Sequence, residues 1–131
     1  TSAVNKALNE ANCIPSDIQV IIPLGSGIKQ VDDAEREGLT NVFGESLSSI
    51  PTITTIPYTG NCMAGNGAIS IGVAAMAIKE QKIPARLGGT ETPGIQAERC
   101  SQTDLAINKV LVITPSEGGQ CVALVLGRIN A

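Results

Sequence analysis

The stretch YTGNCMAGNGAIS, Tyr58 to Ser70, sets three glycines, two asparagines and a cysteine in front of a run of small apolar residues. Three kinds of chemistry use such a pattern: a phosphate cradle, a dinucleotide turn and a seat for a nucleophile. Gly60 and Gly65 have P-loop spacing, but Asn66 and Gly67 stand where the phosphate-binding lysine and the magnesium-binding hydroxyl belong. A dinucleotide turn needs a third glycine where Ser70 stands and a strand directly before it. Both nucleotide readings fail on chemistry. Cys62 sits near the start of a helix, whose dipole favours a thiolate, so it is the candidate nucleophile. No histidine occurs anywhere in the chain to act as its base. Two readings stand for Cys62: a helix-activated nucleophile or a buried structural thiol.

The chain has 131 residues, 43% hydrophobic and 16% charged, which suits one domain with one core. Its net charge of −3 and pI near 4.8 argue against a nucleic-acid partner, because phosphate affinity comes from clustered Lys and Arg. The opening TSAVNKAL has no signal-peptide core, and no stretch approaches the ~20 apolar residues of a membrane span. A soluble, cytoplasmic protein is the expectation. Cys13, Cys62, Cys100 and Cys121 are too widely spaced for a CxxC pair, so they are expected as free thiols with no metal site.

The elements that must position Tyr58 to Ser70 alternate between helix and strand. Residues 3–11 have helical apolar spacing, and the Ile/Val run within IPSDIQVIIPLGSG reads as a buried strand entering a turn. DDAEREGLTNVFG reads as a helix with acidic residues at its start and Gly44 at its close. IPTITTI, residues 50–56, is β-branched and bounded by prolines, and is expected as a strand. A helix follows from Ala64 to about Lys82, stopped by Pro84. Residues 84–108 read as an excursion, and Val110 to Thr114 and Gln120 to Gly127 as strands of a hairpin around PSEGG.

From Gly67 to Ile78 the second long helix has no polar face, and a helix apolar all round is buried all round. One sheet covers only one side of it. A further domain or a second copy of the chain is therefore expected on the other side, the alternative being a small Ala-rich helix that tolerates partial exposure.

The order of these blocks resembles the C-terminal half of a β-ketoacyl-acyl-carrier-protein synthase, of thiolase fold. NEANCIPSDIQVIIPLGSGIKQVDDAEREGLTNVFG, IPTITTIPYTGNCMAGNGAISIGVAAMAIKEQKIPA and EGGQCVALVLGR carry the resemblance. Gly25 and Gly27 match the glycines of the family's His-Gly-Thr-Gly-Thr loop, Ser26 its first threonine, and Asp32 and Glu35 its acidic pair. Gly60, Gly67 and Ala68 match the second block, and Gly118 and Gly119 the terminal double glycine. The departures fall on the chemistry. Leu24 and Asn61 occupy the two histidine positions, Ile56 the lysine position and Glu117 that of a phenylalanine. In active members the histidines stabilise the oxyanion formed as malonyl-carrier decarboxylates. Leu24 and Ile56 offer no side-chain donor, and Asn61 donates without transferring a proton.

The pattern is most similar to the chain-length-factor subfamily of aromatic polyketide synthases, inactive paralogues paired with an active synthase. The resemblance implies an α/β fold: a thiolase-like half with a mixed sheet of five-stranded type, the apolar helix on one face and amphipathic helices on the other. It implies one domain, residues 1–131, within a longer two-half protein of fatty acid or polyketide biosynthesis. It implies no cofactor, an active ketosynthase subunit or a second copy as partner, and an acyl carrier protein as a further one. Leu24, Gly25, Gly27, Asn61, Cys62, Glu117, Gly118 and Gly119 are then candidate loop or acyl-pocket positions rather than catalytic groups. The alternative is an acyltransferase fragment whose residual chemistry depends on the other half.

Overall fold

Val20, Ile21 and Ile22 carry only branched apolar side chains, and they form β1 (Val20–Ile22), buried on both faces. In the computed structural model, which describes residues 1–87, 105–116 and 118–129, β1 lies parallel to β2 (Lys109–Pro115), with Ile21 opposite Leu111. β2 turns back into β3 (Cys121–Gly127), antiparallel, with Ile113 opposite Ala123. The turn is closed by Ser116 N–H to the Gln120 carbonyl, 2.8 Å, as the PSEGG hairpin anticipates.

Side chains alternate across this sheet with period two and so feed two cores. Ile21, Leu111 and Ile113 point to one face, where α1 (Ser2–Glu10) supplies Val4 and Leu8 and α2 (Lys29–Phe43) supplies Leu39 and Phe43. Val20, Ile22, Val110 and Val112 point to the other, where α4 (Asn66–Glu80) supplies Ala74 and Ala77. The layers are thus amphipathic helices, sheet and apolar helix. A short α3 (Ile56–Thr59) precedes α4.

Among the described residues the sheet has three strands, fewer than the expected five-stranded type. Residues 50–56, expected as a strand, pair with β1 through an isolated parallel bridge between Thr52 and Ile21. Ile21 N–H donates to the Pro51 carbonyl and Ile53 N–H to the Ile21 carbonyl, both at 3.0 Å. Pro51 has no N–H to extend the ladder. At Thr55 the backbone has already turned helical, its carbonyl accepting from Tyr58 and Thr59 N–H. The β-branched run is real, but the bonds that would make it a strand end after Ile53.

α4 ends at Gln81, three residues before Pro84, in a left-handed conformation with φ +55°. The Gln81 side chain there bonds the Ile78 carbonyl and both backbone polar groups of Ile107. Of the predicted excursion, residues 88–104 lie outside the described residues. Cys13, Cys62 and Cys121 are free thiols; Cys100 lies outside the described residues.

The chain covers one side of α4, where Asn66, Ser70, Ala74 and Ala77 are buried. Ile71 and Met76 on the other side are 37% and 52% exposed. No element among the described residues covers that face, in keeping with a helix whose sequence has no polar side.

Candidate functional site

β1, the Pro51–Ile53 segment and β2 are mutually parallel through β1, so their carboxyl ends emerge at one edge of the sheet. Loops at such an edge are where open α/β sheets bind their ligands. The candidate residues occupy the three loops that leave it. Leu24, Gly25 and Gly27 follow β1; Ile56, Asn61 and Cys62 follow Ile53; Gly118 and Gly119 follow β2. Glu117 lies outside the described residues.

The first loop is held by the acidic pair of α2. Glu35 lies one turn of helix after Asp32, so both carboxylates rise from one face toward residues 24–27. Glu35 accepts Leu24 N–H at 2.8 Å on Oε1 and Gly25 N–H at 3.2 Å on Oε2. Asp32 accepts Ser26 N–H and Ser26 Oγ–H at 2.8 Å on Oδ1 and Gly27 N–H at 3.0 Å on Oδ2. Asp32 is therefore bonded to the loop rather than serving only as a charge at the helix start, which lies at Lys29. Burial pushes the Glu35 carboxyl above its usual range, and the Asp32 charge adds to this, against the two backbone N–H groups that favour the carboxylate.

Gly25 has φ +56°, and a Cβ built on it would lie 2.7 Å from Thr54 Cγ2. Loop one thus touches the start of loop two without room for a side chain between them. The start of α4 meets β2 at ordinary contact distance, since a Cβ on Gly67 would lie 3.4 Å from Thr114 Oγ1.

In loop two, Asn61 Oδ1 accepts Met63 N–H at 2.9 Å and Asn66 Nδ2–H at 2.8 Å, while Asn66 Oδ1 accepts Cys62 N–H at 2.9 Å. With Oδ1 so engaged, the amide N–H group is what Asn61 offers to a ligand. Asn66 is not among the candidates the sequence offers; its amide bonds back to Asn61 and Cys62 rather than capping α4. Below it, Thr55 and Ser70 are both buried with their hydroxyls 3.5 Å apart.

Cys62 is exposed, which corrects the expectation of a buried structural thiol. Its sulfur lies 3.7 Å from both the Thr59 and Gly60 carbonyls, distances suited to weak S–H donation. Three residues of 3₁₀ helix separate it from α4. Among the described residues no basic side chain hydrogen-bonds it. Leu24 and Ile56 are half-buried aliphatic side chains. The edge therefore presents backbone groups, an amide and aliphatic walls, and no side chain placed to relay a proton.

The model for the β-ketoacyl synthase C-terminal domain matches residues 1–90. A ketoacyl synthase beta subunit of the tetracenomycin polyketide synthase from Streptomyces glaucescens is 30% identical over 129 residues, covering 96% of this chain and 31% of that protein. A chain of the ketosynthase ApeO in complex with its chain length factor ApeC, from Xenorhabdus doucetiae, superposes with a TM-score of 0.82 at 27% identity, covering 95% of this chain and 32% of that one. The ishigamide ketosynthase/chain length factor superposes with a TM-score of 0.87 at 22% identity, covering 96% of this chain and 32% of that one, and shows the thiolase-like fold. The chain spans about a third of the length of these relatives.

Proposed function

The chain belongs to the family of β-ketoacyl synthase C-terminal domains, and on that premise we propose that it works as part of a chain-length-factor-type subunit in polyketide biosynthesis. In this reading it pairs with an active ketosynthase and shapes the acyl pocket without performing condensation, in the cytoplasm. One observation carries the reading. The loops at the carboxyl edge keep their scaffold, with Asp32 and Glu35 latched onto residues 24–27, while Leu24, Ile56 and Asn61 occupy the positions where the resemblance places proton-handling side chains.

The uncovered side of α4 supports a covering partner. Ile71 and Met76 are exposed on a helix whose other side is fully packed, and the relatives are about three times as long as this chain. We assign this face to the remainder of a two-half protein of which residues 1–131 form one domain. An acyltransferase acting through Cys62 has no comparable support, because that sulfur has carbonyls rather than a base beside it.

The test is co-purification with an active ketosynthase followed by assay with malonyl-loaded acyl carrier protein. The expected result is a stable complex, product only when both subunits are present, and no malonyl decarboxylation by this protein alone. Decarboxylation by the isolated protein at rates comparable to the pair would overturn the reading.

A further inference from the structure

We infer that the Leu24 loop is a proton-gated latch, closed by ionised Glu35 and loosened when one of its two oxygens takes up a proton. The geometry carries this. Each Glu35 oxygen accepts a separate N–H from adjacent residues, Leu24 at 2.8 Å and Gly25 at 3.2 Å. A carboxylate supplies acceptors on both oxygens; a carboxylic acid carries its proton on one of them, and that oxygen is no longer a full acceptor. Protonation must therefore weaken one bond of the pair. The longer contact, to Gly25, is the weaker and is the one to yield.

Gly25 cannot absorb the change quietly. It is wedged against Thr54, with only 2.7 Å from the place of a Cβ to Thr54 Cγ2, so movement there is transmitted to loop two. Movement at Gly25 also displaces its neighbour Leu24, which lines the edge. Asp32 holds Ser26 and Gly27 and so anchors the far end of the loop. The loop hinges between a fixed end and a titrating end.

The titratable groups bearing on Glu35 are few. Asp32, on the same helix, repels its charge. Cys121, on β3, has its thiol pushed up first by burial and further by the Glu35 charge. Burial is the largest influence on Glu35 itself and moves its titration upward. The inference rests on the proposed function for its consequence, a change in pocket shape at Leu24, but the latch itself is measurable without it.

Pro-Leu occurs once in this sequence, at Pro23–Leu24. Carbonyl-13C proline with 15N-leucine labelling of the chain therefore isolates the Leu24 amide in an NMR titration from pH 4 to 8. The Leu24 amide is expected to titrate with a midpoint above the ~4.3 of an ordinary glutamate. Glu35→Gln is expected to abolish that titration, and Asp32→Asn to lower its midpoint. A Leu24 amide that stays unmoved over this range in the folded wild-type chain overturns the latch, and so does one titrating alike in wild type and Glu35→Gln. The wild-type titration decides even if a variant fails to fold. A titrating latch in a protein that forms no ketosynthase complex refutes the proposed function alone, and a complex with a silent Leu24 refutes the latch alone.

Discussion

Gly25→Ala tests whether the two loops are in contact through a space too small for a methyl group. Two costs add. Placing an L-residue at φ +56° costs about 1–2 kcal/mol, because Cβ crowds the carbonyl in the left-handed region. The new Cβ would then sit 2.7 Å from Thr54 Cγ2, short of the ~3.5–4.0 Å of a relaxed carbon contact, and overpacking of this kind costs about 1–3 kcal/mol. The expected sum is about 2–5 kcal/mol, set against a typical domain stability of ~5–15 kcal/mol. Gly27→Ala separates the terms, since Gly27 has φ +79° but nothing within 4 Å of the built Cβ. It should lose only the backbone part, about 1–2 kcal/mol. Urea unfolding reads the difference as a midpoint about 1 M lower for Gly25→Ala, given slopes of ~1–3 kcal/mol/M. Thr54→Ser removes the offending methyl, so it should recover about 1 kcal/mol or more in the Gly25→Ala background. If Gly25→Ala and Gly27→Ala unfold at the same midpoint and Thr54→Ser gives no coupling, the contact between the loops is wrong.

Three further outcomes follow from other contacts. Gln81→Ala strips partners from both polar groups of Ile107, a residue 1% exposed, and should lower stability by about 2–4 kcal/mol in the same unfolding assay. Cys62→Ser should leave product formation by the proposed ketosynthase pair unchanged, and a loss of turnover with the complex intact would return Cys62 to the role of nucleophile. Because the folded-state pKa of Glu35 is raised, the stability it contributes is full below its unfolded value of ~4.3 and is lost as pH rises through the folded value. Glu35→Gln should therefore compare more favourably with wild type at pH 7 than at pH 4, read as relative urea midpoints.

The parts of the fold legible in the sequence are those written in periodicity. Val4, Ala7 and Leu8 repeat at helical spacing and are the buried face of α1; Val110 to Thr114 and the strand after PSEGG lie where alternation and turn chemistry put them. The 50–56 segment misled because β-branched composition reports a preference for extended backbone, not the presence of donors, and Pro51 removes one. Clamps between distant backbone and polar side chains left no trace at all. Gln19 Oε1 accepts N–H bonds from Asn108 and Lys109, and Gln81 pairs with Ile107, so two glutamines hold the entry to β2. Such contacts have no period and span the chain. At the site, the order of the motifs located the loops, while the Asn61–Asn66 pair and the exposure of Cys62 depended on a turn whose path no local pattern encodes.

The groups that hold the edge are distinct from any that could react there, which makes it a shaped surface. Asp32 and Glu35 hold residues 24–27 through five hydrogen bonds, four of them from backbone N–H. Ionising Glu35 in its partly buried position opposes folding, since burial pushes its carboxyl above the usual range. A loop that only connected β1 to α2 would need no such arrangement, because solvent satisfies an exposed turn. The side chain that the latch presents at its first position is Leu24, which neither donates nor accepts a hydrogen bond. What the latch fixes is thus the place of an aliphatic wall, and a wall whose position matters is a determinant of the space beside it.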